Sequence, residues 1–311
     1  MIRLHSWVDL PQTCRGASLA LGNFDGVHKG HQTVIADAAR AARALGCPLG
    51  VVSFDPHPRR FFQPDLPPFR LMTLDQQTRA LADLGVDLFY VLPFDASMAA
   101  LSDEAFAQTI LSEGLGARHV AVGFDITYGK GRSGSPQSLQ AQGQTLGFGV
   151  SVTPECRSQN GIKYASSAIR TALENGDPVS AAQAMGRPFA IEGVVSHGVK
   201  RGRTLGFPTL NIALGDYQRP RFGVYATRTT LADGRAIPGV ANLGQRPSVE
   251  GTEARLEVHL FDVNEDLYGQ TVETQLLTFI RPEQRFEGLD ALKAQITKDS
   301  ATARDLLLPP L

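Results

Sequence analysis

Short apolar runs alternate with longer amphipathic segments along the first half of the chain. Such runs are typical of buried strands, and apolar residues that recur every three or four positions are typical of helices. We predict strands over residues 18–21, 49–54, 87–92, 119–123 and 148–152. We predict helices that end at Gly46, span residues 73–84, and begin near Asp103 with Ser102 as the cap. Strands alternating with helices predict a mostly parallel sheet, whose ligands bind beyond the carboxyl ends of its strands.

The pattern changes near residue 185, where glycine and β-branched residues begin to dominate. Just before this point we predict two helices, over residues 167–173 and 179–185. After it we predict strands over residues 225–231, 236–240, 255–261 and 271–279, a tight turn at Asp233-Gly234, and a terminal helix over residues 289–307. Several short strands separated by turns favour an antiparallel barrel or sandwich. We therefore predict two domains, residues 1–184 and residues 185–311.

Composition and charge limit the classes of partner. The chain has 311 residues, with 30 Lys and Arg against 31 Asp and Glu, which gives a formal net charge of −1. This balance argues against a protein that binds nucleic acid through a basic surface. No signal-peptide core is present at the N-terminus, and no run approaches the roughly 20 apolar residues of a membrane span. Three scattered cysteines favour free thiols in a reducing compartment, so we predict a cytoplasmic protein and leave its oligomeric state open.

A dense motif, Gly22-Asn23-Phe24-Asp25-Gly26-Val27-His28-Lys29-Gly30-His31, joins the first strand to the first helix. His28 and His31 share one face of the helix start, because residues three apart are neighbours there. Free amides and the helix dipole attract anions at that end. Paired imidazoles could therefore stabilise charge that builds on an α-phosphate. The alternative is that one histidine caps the helix and the other lies on the surface.

This motif resembles the His-x-Gly-His signature of nucleotidylyltransferases, and its longer form resembles the FAD synthetase module of bacterial bifunctional riboflavin kinase/FMN adenylyltransferases. Three further segments are similar to that module: residues 54–58, 122–134 and 165–170. The resemblance implies a Rossmann-like domain in which Arg170 neutralises the β- and γ-phosphates and His57 contacts the flavin. It implies that ATP is bound by Gly22, Asn23, Phe24, Asp25, Gly123, Asp125, Ser166 and Ser167. Ala165 and Ser135 depart from the family pattern.

A second dense stretch runs from Gly198 to Asn211 and combines glycines with basic residues. Glycines and cations together suit a loop that wraps phosphates. Thr209 and Asn211 lie two apart, so on a strand they face one side, and their oxygens could hold Mg²⁺ bound to ATP. The alternative is a basic hairpin on a solvated face.

This stretch resembles the flavokinase motif, whose Pro-Thr-Ala-Asn core is here Pro208-Thr209-Leu210-Asn211. The resemblance implies that Glu257 is the base that deprotonates the ribityl 5′-hydroxyl of riboflavin, and that Asn211 is a second catalytic residue of this reaction. It implies ATP contacts from Gly202, Thr204 and Gly206, and flavin contacts from Asn242, Arg281 and Glu283. In the alternation of residues 255–261, Glu257 faces away from Leu256 and Val258, so it points out of the apolar core. The alternative is an ordinary surface residue of a strand.

Together the two motifs predict an enzyme with two successive reactions. The C-terminal domain would phosphorylate riboflavin with MgATP to give FMN, and the N-terminal domain would adenylylate FMN with ATP to give FAD and pyrophosphate. Other candidates are a nucleotidylyltransferase for nicotinate or pantetheine phosphate, an aminoacyl-tRNA synthetase, and a non-catalytic flavin sensor. The flavokinase-like half argues against the first candidate. The chain lacks the Lys-Met-Ser-Lys-Ser segment expected of the second. The intact candidate catalytic residues argue against the third.

Overall fold

A computed structural model describes residues 1–157, 161, 163–196, 206–248 and 251–307. The chain forms two compact units. The first unit contains Met1–Pro67 and Leu74–Tyr164, and the second contains Pro68–Thr73 and Ala165–Leu311. The packing units therefore divide between Tyr164 and Ala165, and not between residues 184 and 185. The boundary at 184 and 185 stays a prediction of where the two activities separate along the chain.

The first unit is built on a sheet of six described strands, and all its pairings are parallel, as predicted. The strands are β1 (Ile2–Leu4), β2 (Ser18–Leu21), β3 (Leu49–Asp55), β4 (Leu88–Pro93), β5 (His119–Gly123) and β6 (Gly149–Thr153). They lie in the order β1-β4-β3-β2-β5-β6. Strands β2 to β6 match the predicted strands to within one residue at every end. Strand β1 was not predicted, because three residues are too short for a periodic pattern.

Helices connect the strands of the first unit. They are α1 (Lys29–Leu45), α2 (Pro58–Phe62), α3 (Leu74–Asp83), α4 (Ala96–Ala100), α5 (Asp103–Ala105), which continues as a π-helix (Phe106–Gly114), and α6 (Pro136–Leu146). The predicted ends of these helices have their expected causes. Gly46 ends α1 with a left-handed φ of 58°, and the Ser102 hydroxyl accepts the Ala105 amide hydrogen at 3.1 Å. Helices α2, α4 and α6 were not predicted.

The second unit contains an antiparallel sheet that closes almost into a barrel, as predicted. Its strands are β7 (Phe189–Val194), β8 (Leu210–Ala213), β9 (Gly223–Thr230), β10 (Ala236–Ser248), β11 (Gly251–Leu260) and β12 (Thr271–Pro282). Their order is β7-β12-β9-β10-β11-β8. The chain just after β7 reaches the other edge, because the Ser196 amide donates to the Asn211 carbonyl at 2.9 Å. The helices are α7 (Ser166–Glu174), α8 (Pro178–Met185) and the terminal α9 (Leu289–Leu307).

The core of the second unit explains where packing divides the chain. Ile169 and Leu173 of α7 lie in one hydrophobic cluster with Phe189 and Leu256 of the barrel. Leu71, from the short segment 68–73, is buried in the same cluster. None of the helices in the described part of the chain is long and apolar enough to cross a bilayer.

The position of Leu71 gives a test of this division. Leu71→Ala should destabilise the second unit by about 2–5 kcal/mol, since it leaves a cavity in that core. Hydrogen exchange should then become faster in β9 and β12 and stay unchanged in β3 and β4. Leu81→Ala, which removes an equally buried leucine from the first unit, is the matched control and should do the reverse. Faster exchange in β3 and β4 after Leu71→Ala would contradict the assignment.

Candidate active sites

The order of the parallel strands reverses direction at β2 in the first unit. From β2 the chain goes to β3 on one side, and after β4 it returns to β5 on the other side of β2. Ligands of such sheets bind where the direction of connection reverses, beyond the carboxyl ends of the strands. Ala20 pairs with Ala121, so two residues further on Gly22 is level with Gly123. The topology therefore brings together the Gly22–His31 motif and the loop that carries Asp125.

The two histidines lie at the start of α1 with their rings stacked. Their ring centroids are 3.6 Å apart with an interplanar angle of 20°, and the ring of buried Phe24 meets His31 edge-on at 5.1 Å. His28 is the N-cap, and its Nδ1 accepts the His31 amide hydrogen at 3.2 Å. Because a backbone amide only donates, the neutral His28 ring carries its own hydrogen on Nε2. His28 therefore caps the helix and keeps an N–H donor.

The turn before the histidines is fixed by side chains from neighbouring elements. The Asn23 carbonyl accepts hydrogen bonds from Ser53 Oγ at 2.9 Å and from Gln77 Nε2 at 3.0 Å. Gln32 Nε2 donates to the Val27 carbonyl at 3.0 Å. Asp25 is buried, whereas the Asn23 side chain is exposed. These bonds hold the turn that leads into the two histidines.

The loop after β5 is held by a lysine that the sequence analysis missed. Lys163 Nζ lies 2.7 Å from Asp125 Oδ2 and 4.7 Å from the centre of the Phe124 ring. The hydrogen bond with Asp125 raises the pKa of Lys163 above its usual value. The adjacent Tyr164 carbonyl lies so close to Gly30 that a Cβ there would be 2.9 Å away. This close approach explains the glycine between the two histidines.

The glycine-rich loop 129–134 is organised by a buried carboxylate. Asp103 accepts hydrogen bonds from Ser133 Oγ at 2.6 Å and from Gln142 Nε2 at 2.9 Å. The bond from Ser133 is the main cause that lowers the pKa of Asp103. Gly129 has a φ of 73°, and a Cβ there would lie 2.6 Å from the Asp103 nitrogen. Ser135, which departs from the family pattern, caps α6 through a reciprocal bond pair with Ser138.

His57 caps α2, and a cluster of four phenylalanine rings lies beside it. His57 Nδ1 accepts the Arg59 amide hydrogen at 3.0 Å. The ring of Phe94, just after β4, lies 5.4–5.7 Å from the rings of Phe54, Phe61 and Phe62. Phe62 is 63% exposed. This aromatic cluster has no local signal in the sequence, because its members come from three elements that only the fold brings together.

Three predicted phosphate ligands lie in the second unit, whereas the histidines lie in the first. Ser166 and Ser167 begin α7, and Ala165 at the N-cap offers no side-chain oxygen to the first amides. Arg170 Nε donates to the Phe69 carbonyl at 2.8 Å, and its guanidinium lies 5.4 Å from the Phe69 ring centre. The start of α7 thus presents amides, hydroxyls and a cation together, which suits an anion.

In the barrel, strand register aligns three predicted site residues. Glu257 of β11 is paired with Asn242 of β10 on one side and with Asn211 of β8 on the other. Directly paired residues of neighbouring strands project to the same face of a sheet. Asn211 is only 4% exposed and Glu257 is half-buried, while Leu256 and Val258 face the core. The predicted alternation of this strand is confirmed.

Glu283 approaches this row from the end of β12. Its Oε1 lies 3.4 Å from Asn242 Nδ2, and a Cβ at Gly244 would overlap its carboxylate. Arg281, predicted to contact flavin, makes a two-pronged ion pair with buried Asp299 of α9, with bonds of 3.0 and 2.7 Å. Its guanidinium is therefore engaged by the terminal helix in this structure, and its flavin contact stays a prediction.

Thr209 lies just before β8 and lines a cavity of about 330 Å³. The other lining residues are Pro208, Leu210, Leu260, Val263, Asn264, Glu265, Leu267 and Tyr268. Gly206 is exposed with a φ of 87°, and Gly202 and Thr204 lie outside the described residues. No group of three or more His, Cys, Asp or Glu suited to a metal occurs in the described part of the chain.

Two family models match the chain in succession. One is described as FAD synthetase and matches residues 10–168, and the other is described as riboflavin kinase and matches residues 185–307. The chain is 41% identical over 302 residues to a bifunctional riboflavin kinase/FMN adenylyltransferase of Escherichia coli (strain K12), a match that covers 97% of this chain and 96% of that protein. A protein of the same name from Bacillus subtilis (strain 168) is 38% identical, with 92% and 90% covered.

The whole fold also occurs in a solved structure from Streptococcus pneumoniae. It is 30% identical to this chain, with a TM-score of 0.86 and 98% of both chains covered. Its title calls it a macrolide-efflux protein. That title describes transport, which is the description of neither family model that matches this chain.

The two roles of His28 can be separated by substitution. His28→Asn should keep the helix cap, because asparagine accepts the same amide bond, whereas His28→Ala should lower the free energy of unfolding of the first unit by about 1 kcal/mol or more. Urea unfolding curves measure this difference. Equal losses of stability in the two variants would show that His28 does not stabilise α1 as its cap.

Proposed function

The chain belongs to the family of bifunctional riboflavin kinases/FMN adenylyltransferases, and we propose which residues carry out its two reactions. The chain phosphorylates riboflavin with ATP to give FMN, and it then transfers AMP from ATP to FMN to give FAD and pyrophosphate. The observation that carries this conclusion is the match of both family models, in order, along one chain. We further propose that the enzyme works in the cytoplasm, which its three free cysteines support.

For the kinase reaction we propose Glu257 as general base. Its carboxylate takes the proton of the riboflavin 5′-hydroxyl while the oxygen attacks the γ-phosphorus, and the bond to the bridging oxygen of ADP breaks. The neighbours of Glu257 in the row, Asn242 and Asn211, support this role because their amides bond hydroxyls and phosphates without changing charge. We propose that Asn242 and Glu283 contact the flavin.

Thr209 and Asn211 fit Mg²⁺ bound to ATP. Both supply uncharged oxygens, and magnesium bound with nucleotide needs only one or two protein oxygens besides phosphates and water. When bound, the ion neutralises charge on the phosphates. The cavity beside Thr209, with Tyr268 and leucine side chains in its wall, suits the adenine of the same nucleotide.

For the adenylyl transfer we propose that His28 and His31 stabilise the α-phosphate. A phosphate oxygen of FMN attacks the α-phosphorus of ATP, and the bond to the departing pyrophosphate breaks. The capping bond places the hydrogen of the neutral His28 ring on Nε2, and we propose that this N–H donates to the charge that develops on the α-phosphate. Ser166, Ser167 and Arg170 are proposed to bind the β- and γ-phosphates, and Asn23 and Asp125 to contact the nucleotide.

We propose that the aromatic cluster of Phe54, Phe61, Phe62 and Phe94 binds the isoalloxazine ring of FMN. The cluster lies at the carboxyl edge of β3 and β4, the edge at which ligands of parallel sheets bind. Flat aromatic rings stack on one another favourably. An exposed ring such as Phe62 is therefore explained by a ligand that covers it.

One substitution at His31 and one at Glu257 should separate FMN formation from FAD formation. His31→Ala should leave FMN formation intact and abolish FAD formation, while Glu257→Gln should slow FMN formation by about 10²–10⁴-fold and leave the conversion of supplied FMN to FAD intact. Chromatographic separation of the flavins measures both steps. If one variant lost both steps, or both variants lost the same step, the assignment of sites would be wrong.

Substitution of Phe62 tests the flavin surface of the first unit. Phe62→Ala should raise the KM for FMN about three- to tenfold, since one stacked ring is lost, and should leave riboflavin phosphorylation unchanged. The matched control is Leu289→Ala, which removes an equally exposed apolar side chain from the second unit. An unchanged KM for FMN would argue that the aromatic cluster does not bind flavin.

A further inference from the structure

The backbone pairing of β8 and β11 stops just short of Thr209. The last pair of the ladder is Leu210 with Val258, so the next would join Thr209 to His259. Pro208 has no amide hydrogen and ends the possibility of further pairing. Backbone hydrogen bonds to β11 therefore hold the chain at Leu210, and they do not extend to residues 208 and 209.

Beyond Leu210, a side-chain hydrogen bond takes the place of the backbone bonds between β8 and β11. His259 Nδ1 lies 2.9 Å from the carbonyl oxygen of Pro208. A carbonyl only accepts, so Nδ1 carries the hydrogen and the bond survives whether or not Nε2 is protonated. The His259 ring also meets the Phe207 ring edge-on, with centroids 5.3 Å apart. His259 thus holds Phe207 and Pro208, the two residues immediately before Thr209.

We propose that His259 is a positioning residue of the riboflavin kinase reaction and that it acts through Thr209. Thr209 is a single residue between two anchors, the ladder at Leu210 and the His259 bond at Pro208. With both neighbours fixed, the backbone position from which its hydroxyl projects is fixed as well, and misplacement of a phosphate or metal ligand by even 1 Å can cost about 10²-fold in rate. The inference rests on the role proposed above for Thr209 toward MgATP.

Strand β11 contains both the proposed base, Glu257, and the residue that holds Pro208, His259. Glu257 and His259 are two residues apart on β11 and face the same side. His259 is half-buried, and its ring also lies 6.0 Å from the ring of buried Phe261, so its loss removes some packing as well as the hydrogen bond. A role limited to packing would not distinguish a substitute that keeps the hydrogen bond from one that removes it.

Three substitutions at residue 259 isolate the hydrogen bond. His259→Asn places an amide N–H where Nδ1 is, His259→Gln places it one bond further away, and His259→Leu removes it. We expect His259→Leu and His259→Gln to lower kcat/KM for ATP in FMN formation about tenfold, and His259→Asn to stay within about threefold of the unaltered chain. The KM for riboflavin should change by less than about twofold in each variant.

Conversion of supplied FMN to FAD is the internal control, because it uses residues of the first unit and α7 and should be equal in all three variants. Equal kinase constants for His259→Asn and His259→Leu, whether both normal or both impaired, would overturn the positioning role. A loss expressed in the KM for riboflavin would overturn it as well. Failure of the unaltered chain to form FMN at all would instead overturn the proposed function itself.

Discussion

Hydrogen bonding between strands is the constraint on which both candidate sites depend. In the first unit, the pairing of β2 with β5 makes the loop after one strand the neighbour of the loop after the other, and so brings the histidine motif beside Asp125. In the second unit, the register of β10, β11 and β8 places Asn242, Glu257 and Asn211 in one row. A slip of one residue would turn Glu257 into the core and Leu256 outward, at the cost of burying a carboxylate. The burial of Leu256 and Val258 thus fixes the direction of the base between them.

Packing and the family models divide this chain at different places. The FAD synthetase model ends at residue 168, inside α7, whereas the hydrophobic side of α7 packs in the core of the second unit. The arginine proposed for adenylyl transfer is therefore held by a helix whose stability comes from the kinase barrel, and by Phe69 of a segment that belongs to the same unit. Composition alone predicts a boundary near residue 185 because the change from helices to strands occurs there. The contacts that place residues 165–185 in the second unit join residues far apart along the chain, so no local sequence pattern predicts them.

Features with a local cause could be predicted from the sequence, and features made by distant residues could not. Gly46 ends a helix through its own left-handed conformation, and Ser102 begins one through its own side-chain bond. The alternation in β11 follows from the burial of one face of the strand. The two dense motifs, residues 22–31 and 198–211, are likewise contiguous. Lys163 on Asp125, Asp299 on Arg281 and the aromatic cluster each join residues that are far apart along the chain. Sequence reasoning also placed Arg281 against the flavin, and only the structure reveals the buried carboxylate that engages it.

We propose that one chain contains two separate sites, one with His31 and one with Glu257, that act in succession. A mixture of the His31→Ala and Glu257→Gln chains tests it directly, with riboflavin and MgATP as the only substrates. The first chain should supply FMN and the second should convert it, so the mixture should accumulate FAD although neither variant alone does. Accumulation of FMN without FAD in the mixture, when each variant keeps its remaining activity, would contradict the account.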